Sequence, residues 1–177
     1  MIAFDDSSDW PAQWASIDSF ISDWLSVDFS RDAASTEIDQ LCGDHTLPPS
    51  AREWIAFALA SQHVTNFTFR DCLVVESVPG HDAVSLLIQG EADYYWAIQS
   101  RHAAEPNPPV EAYILDYESD ETCFESAGMW APTVTAFALD YFLSYLESAG
   151  GGFAVRQSSE HFDKDLLVAD FGSPLTF

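Results

Sequence analysis

VSLLIQGEADYYWAIQ, residues 84–99, sets β-branched and aromatic runs on either side of Gly90, Glu91, Ala92 and Asp93, and reads as a β-hairpin. The same punctuation extends outward from it. FTF (67–69) and CLVVESV (72–78) precede the hairpin and VEAYILDY (110–117) follows it, with PGHD (79–82) and AAEPNPP (103–109) as turn-forming separators. These runs predict a mainly antiparallel sheet, and ESDETCFESAG (118–128) reads as a polar connection leaving it.

Both flanks switch to helical spacing. Trp10, Trp14, Ile17, Phe20, Ile21, Trp24 and Leu25 recur as on one helix face, behind the start signals Ser8, Asp9 and Pro11. A weaker pattern through Ala34, Ile38 and Leu41 ends at Gly43, a suitable helix stop. LPPSAREW (47–54) then opens a third helix, because proline fixes φ near the helical value and has no N–H to leave unpaired in a first turn. Ser50 and Glu53 are spaced for a capping box, and Trp54, Ile55, Phe57, Ala58 and Leu59 make the helix apolar on most sides, as a buried helix is. Val134, Phe137, Ala138, Tyr141, Phe142, Tyr145 and Leu146 trace a last helix, closed by Gly150, Gly151 and Gly152. FAVR and LLVADF beyond it suit an additional C-terminal hairpin within 148–177.

The expected architecture is therefore α+β: a mainly antiparallel sheet of about five or six strands with N-terminal and C-terminal helices packed on one side. A chain of 177 residues without an internal repeat or long linker suits one domain, 1–177, that needs no metal or disulfide staple. Cys42, Cys72 and Cys123 are odd in number and lack CxxC spacing, and the N-terminus carries no signal core, so reduced thiols and a cytoplasmic location are expected. No apolar run reaches the ~20 residues of a membrane helix.

Charge narrows the function classes further. Twenty-nine Asp and Glu against 6 Lys and Arg give a formal net charge of −23, with Lys164 the sole lysine. Such a surface repels nucleic acid and anionic lipid and speeds encounter with cationic proteins. It also suits halophilic adaptation, which the abundant large aromatics do not favour.

The search for chemistry returns no GxSxG, HExxH, GxGxxG or P-loop pattern, and His45, His63, His81, His102 and His161 are dispersed. Glu160, His161 and Asp163 have no second ligand cluster to complete a metal site, and Cys42 reads as a small buried thiol. Catalytic residues, cofactor and metal are accordingly not expected. Candidate partner-binding residues are the carboxylates at the sheet loops, Glu91, Asp93, Asp116, Glu118, Asp120 and Glu121, with Tyr94 and Tyr117 beside them. Charge next to aromatic anchors is the mixture protein interfaces use.

Three motifs occur in order: LPPSAREWIAFAL (47–59), YYWAIQSRHAAEPNPPVEAY (94–113) and MWAPTVTAFALDYFLSYL (129–146). Over about residues 30–147 this resembles the SUKH superfamily, the Smi/Knr-type domains best known as bacterial immunity proteins against secreted polymorphic toxins. Pro48, Pro49, Ser50, Glu53 and Trp54 match the family's helix entry. Trp96 with Asn107, Pro108, Pro109 and Val110 matches its tryptophan strand and acidic-proline-proline-valine segment, with Asn107 where aspartate is usual. The resemblance implies a non-catalytic protein that neutralises a cognate toxin by binding it, often a nuclease, with Trp54, Trp96 and Trp130 as scaffold. The alternative reading is an intracellular regulatory or scaffolding interaction domain.

Overall fold

The hairpin pairs as its turn requires. β1 (Ala83–Gln89) and β2 (Tyr94–Gln99) run antiparallel, with Gln89 opposite Tyr94 and Ala83 opposite Gln99. A computed structural model describes residues 7–25, 31, 35–61, 72–89, 93–117 and 123–148 of the chain. Strands expected at 67–69 and in 148–177, and the Gly150–Gly152 stop, lie outside these residues.

The sheet continues in sequence order through β3 (Val110–Leu115) to β4 (Phe124–Ala131), every pairing antiparallel. β4 falls where a polar connection leading to Trp130 is expected. Its pattern is weak because it is an edge strand: between buried Phe124 and Ala131 its residues are mostly exposed. Its register against β3 also shifts twice, so no two-residue alternation survives in the sequence. One shift is accommodated at Gly128, whose φ of 93° lies in the left-handed region that favours glycine.

Segment 72–78, expected as a strand, runs beside β1 without building a ladder. Ser77 and Val84 form a lone bridge, while Ile88 N–H donates to the Cys72 carbonyl at 2.7 Å and Ser85 N–H to the Glu76 carbonyl at 2.8 Å. Buried Ser85 takes the place of further ladder bonds: its hydroxyl donates to the Val74 carbonyl (2.7 Å) and accepts from Glu76 N–H (3.1 Å).

Among the described residues four α-helices accompany the sheet: α1 (Trp10–Leu25), α2 (Ser35–Cys42), α3 (Pro49–Ser61) and α4 (Val134–Ser148). The main core joins Trp14 and Ile17 of α1, Trp54 and Phe57 of α3, and Phe137 and Phe142 of α4 to Leu86, Leu87, Trp96 and Ile98 of the sheet. A smaller cluster gathers Tyr95, Ala97, Tyr113 and Phe124, strand residues of the alternate parity, under Val78. β1 carries a bulge: Ser85 faces Ala97 and Leu87 faces Trp96, leaving Leu86 unpaired across the ladder. Trp54 Nε1–H donates to the Leu86 carbonyl at 3.2 Å, so the bulge that frees a backbone acceptor also docks α3.

The prolines start α3 in the expected place by a different device. Pro48 supplies the carbonyl that accepts from Ala51 N–H (3.0 Å) and Arg52 N–H (3.1 Å), and Pro49 is the first helical residue. The capping box does not form. Ser50 Oγ is buried without a hydrogen-bond partner, Glu53 pairs with Arg31, and Ser50 N–H donates to the Pro106 carbonyl at 3.1 Å. A loop carbonyl thus satisfies the helix start, and the first two sequence motifs touch there.

Asn107 of that loop is fully enclosed. Its Nδ2 donates to Gln13 Oε1 (3.1 Å) and Thr135 Oγ1 (2.9 Å), and its Oδ1 accepts from Thr135 N–H (3.3 Å). This ties the β2–β3 connection to α1 and to the start of α4, where Thr133 Oγ1 caps Ala136 N–H at 3.1 Å. An aspartate has no donor for Gln13, which gives a physical reason for the amide. Asn107→Leu, similar in size, is expected to lower stability by about 2–3 kcal/mol through the buried groups it strands. Urea unfolding measures it, and a loss within experimental error contradicts the role given to Asn107.

Candidate binding surface

The antiparallel order brings the two acidic connections to one end of the sheet. The end of β1 lies beside the start of β2, and the end of β3 beside the start of β4, at the same end. Leu115 N–H donates to the Asp93 carbonyl at 2.8 Å, directly joining the two connections, and Asp116 N–H closes the second onto the Cys123 carbonyl at 2.8 Å. Asp93, Tyr94, Asp116 and Tyr117 are thereby brought together. Glu91, Glu118, Asp120 and Glu121 lie outside the described residues.

Tyr94 and Tyr117 are 42% and 72% exposed, as anchors for a partner must be. The register places Tyr94 opposite Ile114 and Ile114 opposite Glu125, so one row crosses β2, β3 and β4 on the face that carries Trp96. Ile114 and Glu125 are exposed too. The next row is Trp96, Ala112 and Gly128, whose small members leave room for the indole of Trp96. Tyr94 stacks on Trp96 with centroids 6.3 Å apart, and Trp130 meets Trp96 edge-on at 6.0 Å.

Trp130, expected as scaffold, is 55% exposed. Sequence reasoning misses Trp130 and Glu125 because β4 itself is not read as a strand. A Trp-Ala-Pro turn after a polar run gives no sign of which face the indole takes.

Positive charge is absorbed elsewhere. Arg31, Arg52 and Arg101 are the described cations, and each is paired: Arg31 with Asp18 and Glu53, Arg52 with Asp39, Arg101 with Glu111. Arg101 stands past Gln99, at the end of β2 opposite to Tyr94, roughly 17 Å away along the strand.

The other polar cluster surrounds Glu111, a buried carboxylate on the alternate face. Gln99 Nε2, Tyr113 O–H (3.3 Å) and Arg101 Nη2 (3.3 Å) all donate to it. His102 accepts from Arg101 Nε at 3.0 Å through Nε2 and meets Glu105 at 2.6 Å through Nδ1. These side chains engage one another, an arrangement that fixes the turn after β2. Burial pushes the Cys42 thiol up, against the lowering effect of Arg52, which keeps it in its poorly nucleophilic form. The three cysteines are free thiols, and no group of three or more potential metal ligands occurs among the described residues. Glu160, His161 and Asp163 lie outside them.

Two tyrosines carry a pH consequence. Burial, helped by the hydrogen bond to Glu76, pushes Tyr95 up to about 12, and burial, with Cys72 nearby, pushes Tyr141 up to about 12. The folded state holds these protons more tightly than the unfolded chain. Their contribution to stability is complete below the ordinary tyrosine range and is lost as pH rises through it toward 12. Stability is expected to fall above about pH 10, with tyrosinate absorbance appearing together with unfolding. Titration of these two tyrosines in a chain still folded at their ordinary range contradicts this.

No protein-family model, no curated protein and no solved structure matches the chain. Among the described residues no helix is long and apolar enough to cross a membrane.

Proposed function

We propose that this chain is a non-catalytic binding protein of SUKH type, an immunity protein that neutralises a cognate bacterial polymorphic toxin in the cytoplasm by occupying its cationic surface. The convergence of both acidic connections at one sheet end, with Tyr94 and Tyr117 exposed between carboxylates, carries the reading. A nuclease groove shaped for phosphates offers the complementary charge. Asp93 and Asp116, with Glu91, Glu118, Asp120 and Glu121, act as phosphate surrogates, and the tyrosines pack against the rim of the groove.

The motifs that carry the resemblance meet one another. Ser50 N–H on the Pro106 carbonyl joins the first motif to the second, and Trp96 against Phe137 (6.4 Å) joins the second to the third. The family reading also carries the larger sheet of five or six strands, and the β1 edge followed by 72–78 is where a fifth belongs.

The test is coexpression with the basic C-terminal domain of the large secreted protein expected from a neighbouring gene. Rescue of the cells is the expected result, without chemical change to that domain. Equal killing with and without this chain sinks the immunity reading. Binding to several unrelated partners without rescue favours the scaffolding role instead.

A further inference from the structure

α2, α3 and the segment ahead of β1 leave a pocket of about 150 Å³ between them, lined by Glu37, Gln40, Leu41, Leu59 and Leu73. Its make-up follows from helical spacing. Glu37, Gln40 and Leu41 stand at i, i+3 and i+4 on α2 and so share one face, which is set against Leu59 of α3. Leu59 and Leu73 are 6% and 2% exposed and form the floor, whereas Gln40 is exposed and Glu37 half-buried, which puts the amide and the carboxylate at the rim. Leu73 also fixes where the pocket stands. The Cys72 carbonyl before it accepts from Ile88 N–H at 2.7 Å, next to Gln89, which ends β1 opposite Tyr94, so this wall belongs to the same end of the sheet as the acidic connections.

We infer that this pocket takes a lysine side chain of the partner, its methylenes laid along the leucines and its ammonium held by Glu37 and the amide oxygen of Gln40. The inference rests on the reading above as a binder of cationic protein and adds the side chain that is recognised. Size agrees, since an apolar cavity of these dimensions admits a benzene-sized guest and the aliphatic stem of lysine is no bulkier. Chemistry selects the occupant. A second copy has a single lysine, Lys164, and brings another −23. Arginine brings a flat guanidinium that gains most from a ring, as Arg31 does 4.9 Å over Trp14, and no ring lines this pocket. A wholly apolar side chain fills the floor but offers the rim carboxylate no charge.

The experiment uses the full chain at physiological salt with two peptides of equal charge, one of alternating lysine and glycine, the other of alternating arginine and glycine, and with butylamine as a free amine. Leucine methyl resonances report whether the pocket is filled. The lysine peptide is expected to move the Leu41, Leu59 and Leu73 signals and to bind more tightly than the arginine peptide. Glu37→Gln is expected to weaken it about 10-fold, as the loss of a hydrogen bond between charged groups does. Asp44→Asn removes the same charge from an exposed residue outside the pocket and is expected to change binding little. Gln40→Trp, at an exposed position that leaves the fold intact, sets a ring over the mouth and is expected to abolish the leucine shifts.

Equal binding of both peptides with the leucine signals unmoved, or equal losses in Glu37→Gln and Asp44→Asn, overturns the inference and leaves only general charge attraction. So does filling of the pocket by butylamine but not by the lysine peptide, which identifies a small amine as the occupant. The two levels of the proposal fail separately. A lysine pocket without rescue of cells fails the immunity reading alone, and rescue with toxin affinity unchanged in Glu37→Gln and Gln40→Trp fails the lysine pocket alone.

Discussion

Replacing Trp54 with alanine is expected to cost about 3–5 kcal/mol of stability, a large part of the ~5–15 kcal/mol by which a domain is ordinarily stable. The side chain is completely buried and its ring meets Phe57 at 5.8 Å, Phe137 at 5.1 Å and Tyr141 at 5.8 Å, so alanine opens a cavity shared by α3 and α4. Its indole N–H is also the donor for the Leu86 carbonyl that the β1 bulge sets free. Trp54→Phe keeps most of the packing and strands that acceptor, at an expected cost of about 1–3 kcal/mol. Trp96→Phe is the control, because the Trp96 Nε1 is already buried without a partner and no hydrogen bond is lost. Urea midpoints for the three variants decide the matter. Equal losses for Trp54→Phe and Trp96→Phe contradict the docking role of the indole N–H.

Association with a cationic partner is expected to slow about 100-fold between low salt and 1 M, while dissociation changes much less. The reason is the range of the field. At 0.01 M salt the screening length is about 30 Å and the whole anionic end steers the partner, whereas at 1 M it is about 3 Å and only contacts matter. Asp93→Asn with Asp116→Asn is expected to reduce the low-salt on-rate by a few-fold and to flatten its salt dependence. Stopped-flow mixing measures both. An on-rate that ignores salt removes charge from the mechanism.

What was legible in the sequence follows from what is periodic. α1 and α3 bury long apolar stripes, and their tryptophans recur at helical spacing, so their bounds lie close to those read from residues alone. β1 and β2 are legible for a different reason, since a four-residue connection between aromatic and β-branched runs leaves few alternatives to a hairpin. β4 is illegible because Ser126, Ala127 and Gly128 have little strand preference and its two register shifts erase alternation. With β4 hidden, Trp130 is taken for scaffold, and its exposure is not foreseen, whereas its neighbour Trp96 is buried.

The candidate site divides in the same way. Carboxylates beside tyrosines at loop positions can be picked out without coordinates, but their meeting at one end depends on strand order, which only the pairing of β3 with both β2 and β4 supplies. The capping box fails for a related reason. Ser50 and Glu53 have the right spacing, yet a loop carbonyl from Pro106 and a guanidinium from Arg31 compete for the same groups from far along the chain. Local spacing carries no information about such long-range partners.

The most direct measurement is a titration of the toxin's activity with this chain, read as residual activity against molar ratio and followed by mass analysis of the toxin. Occupancy without reaction predicts inhibition that saturates at a fixed stoichiometry, reverses on dissociation and leaves the toxin's mass unchanged. Inactivation at a small fraction of that ratio, or a toxin recovered cleaved or modified, contradicts it.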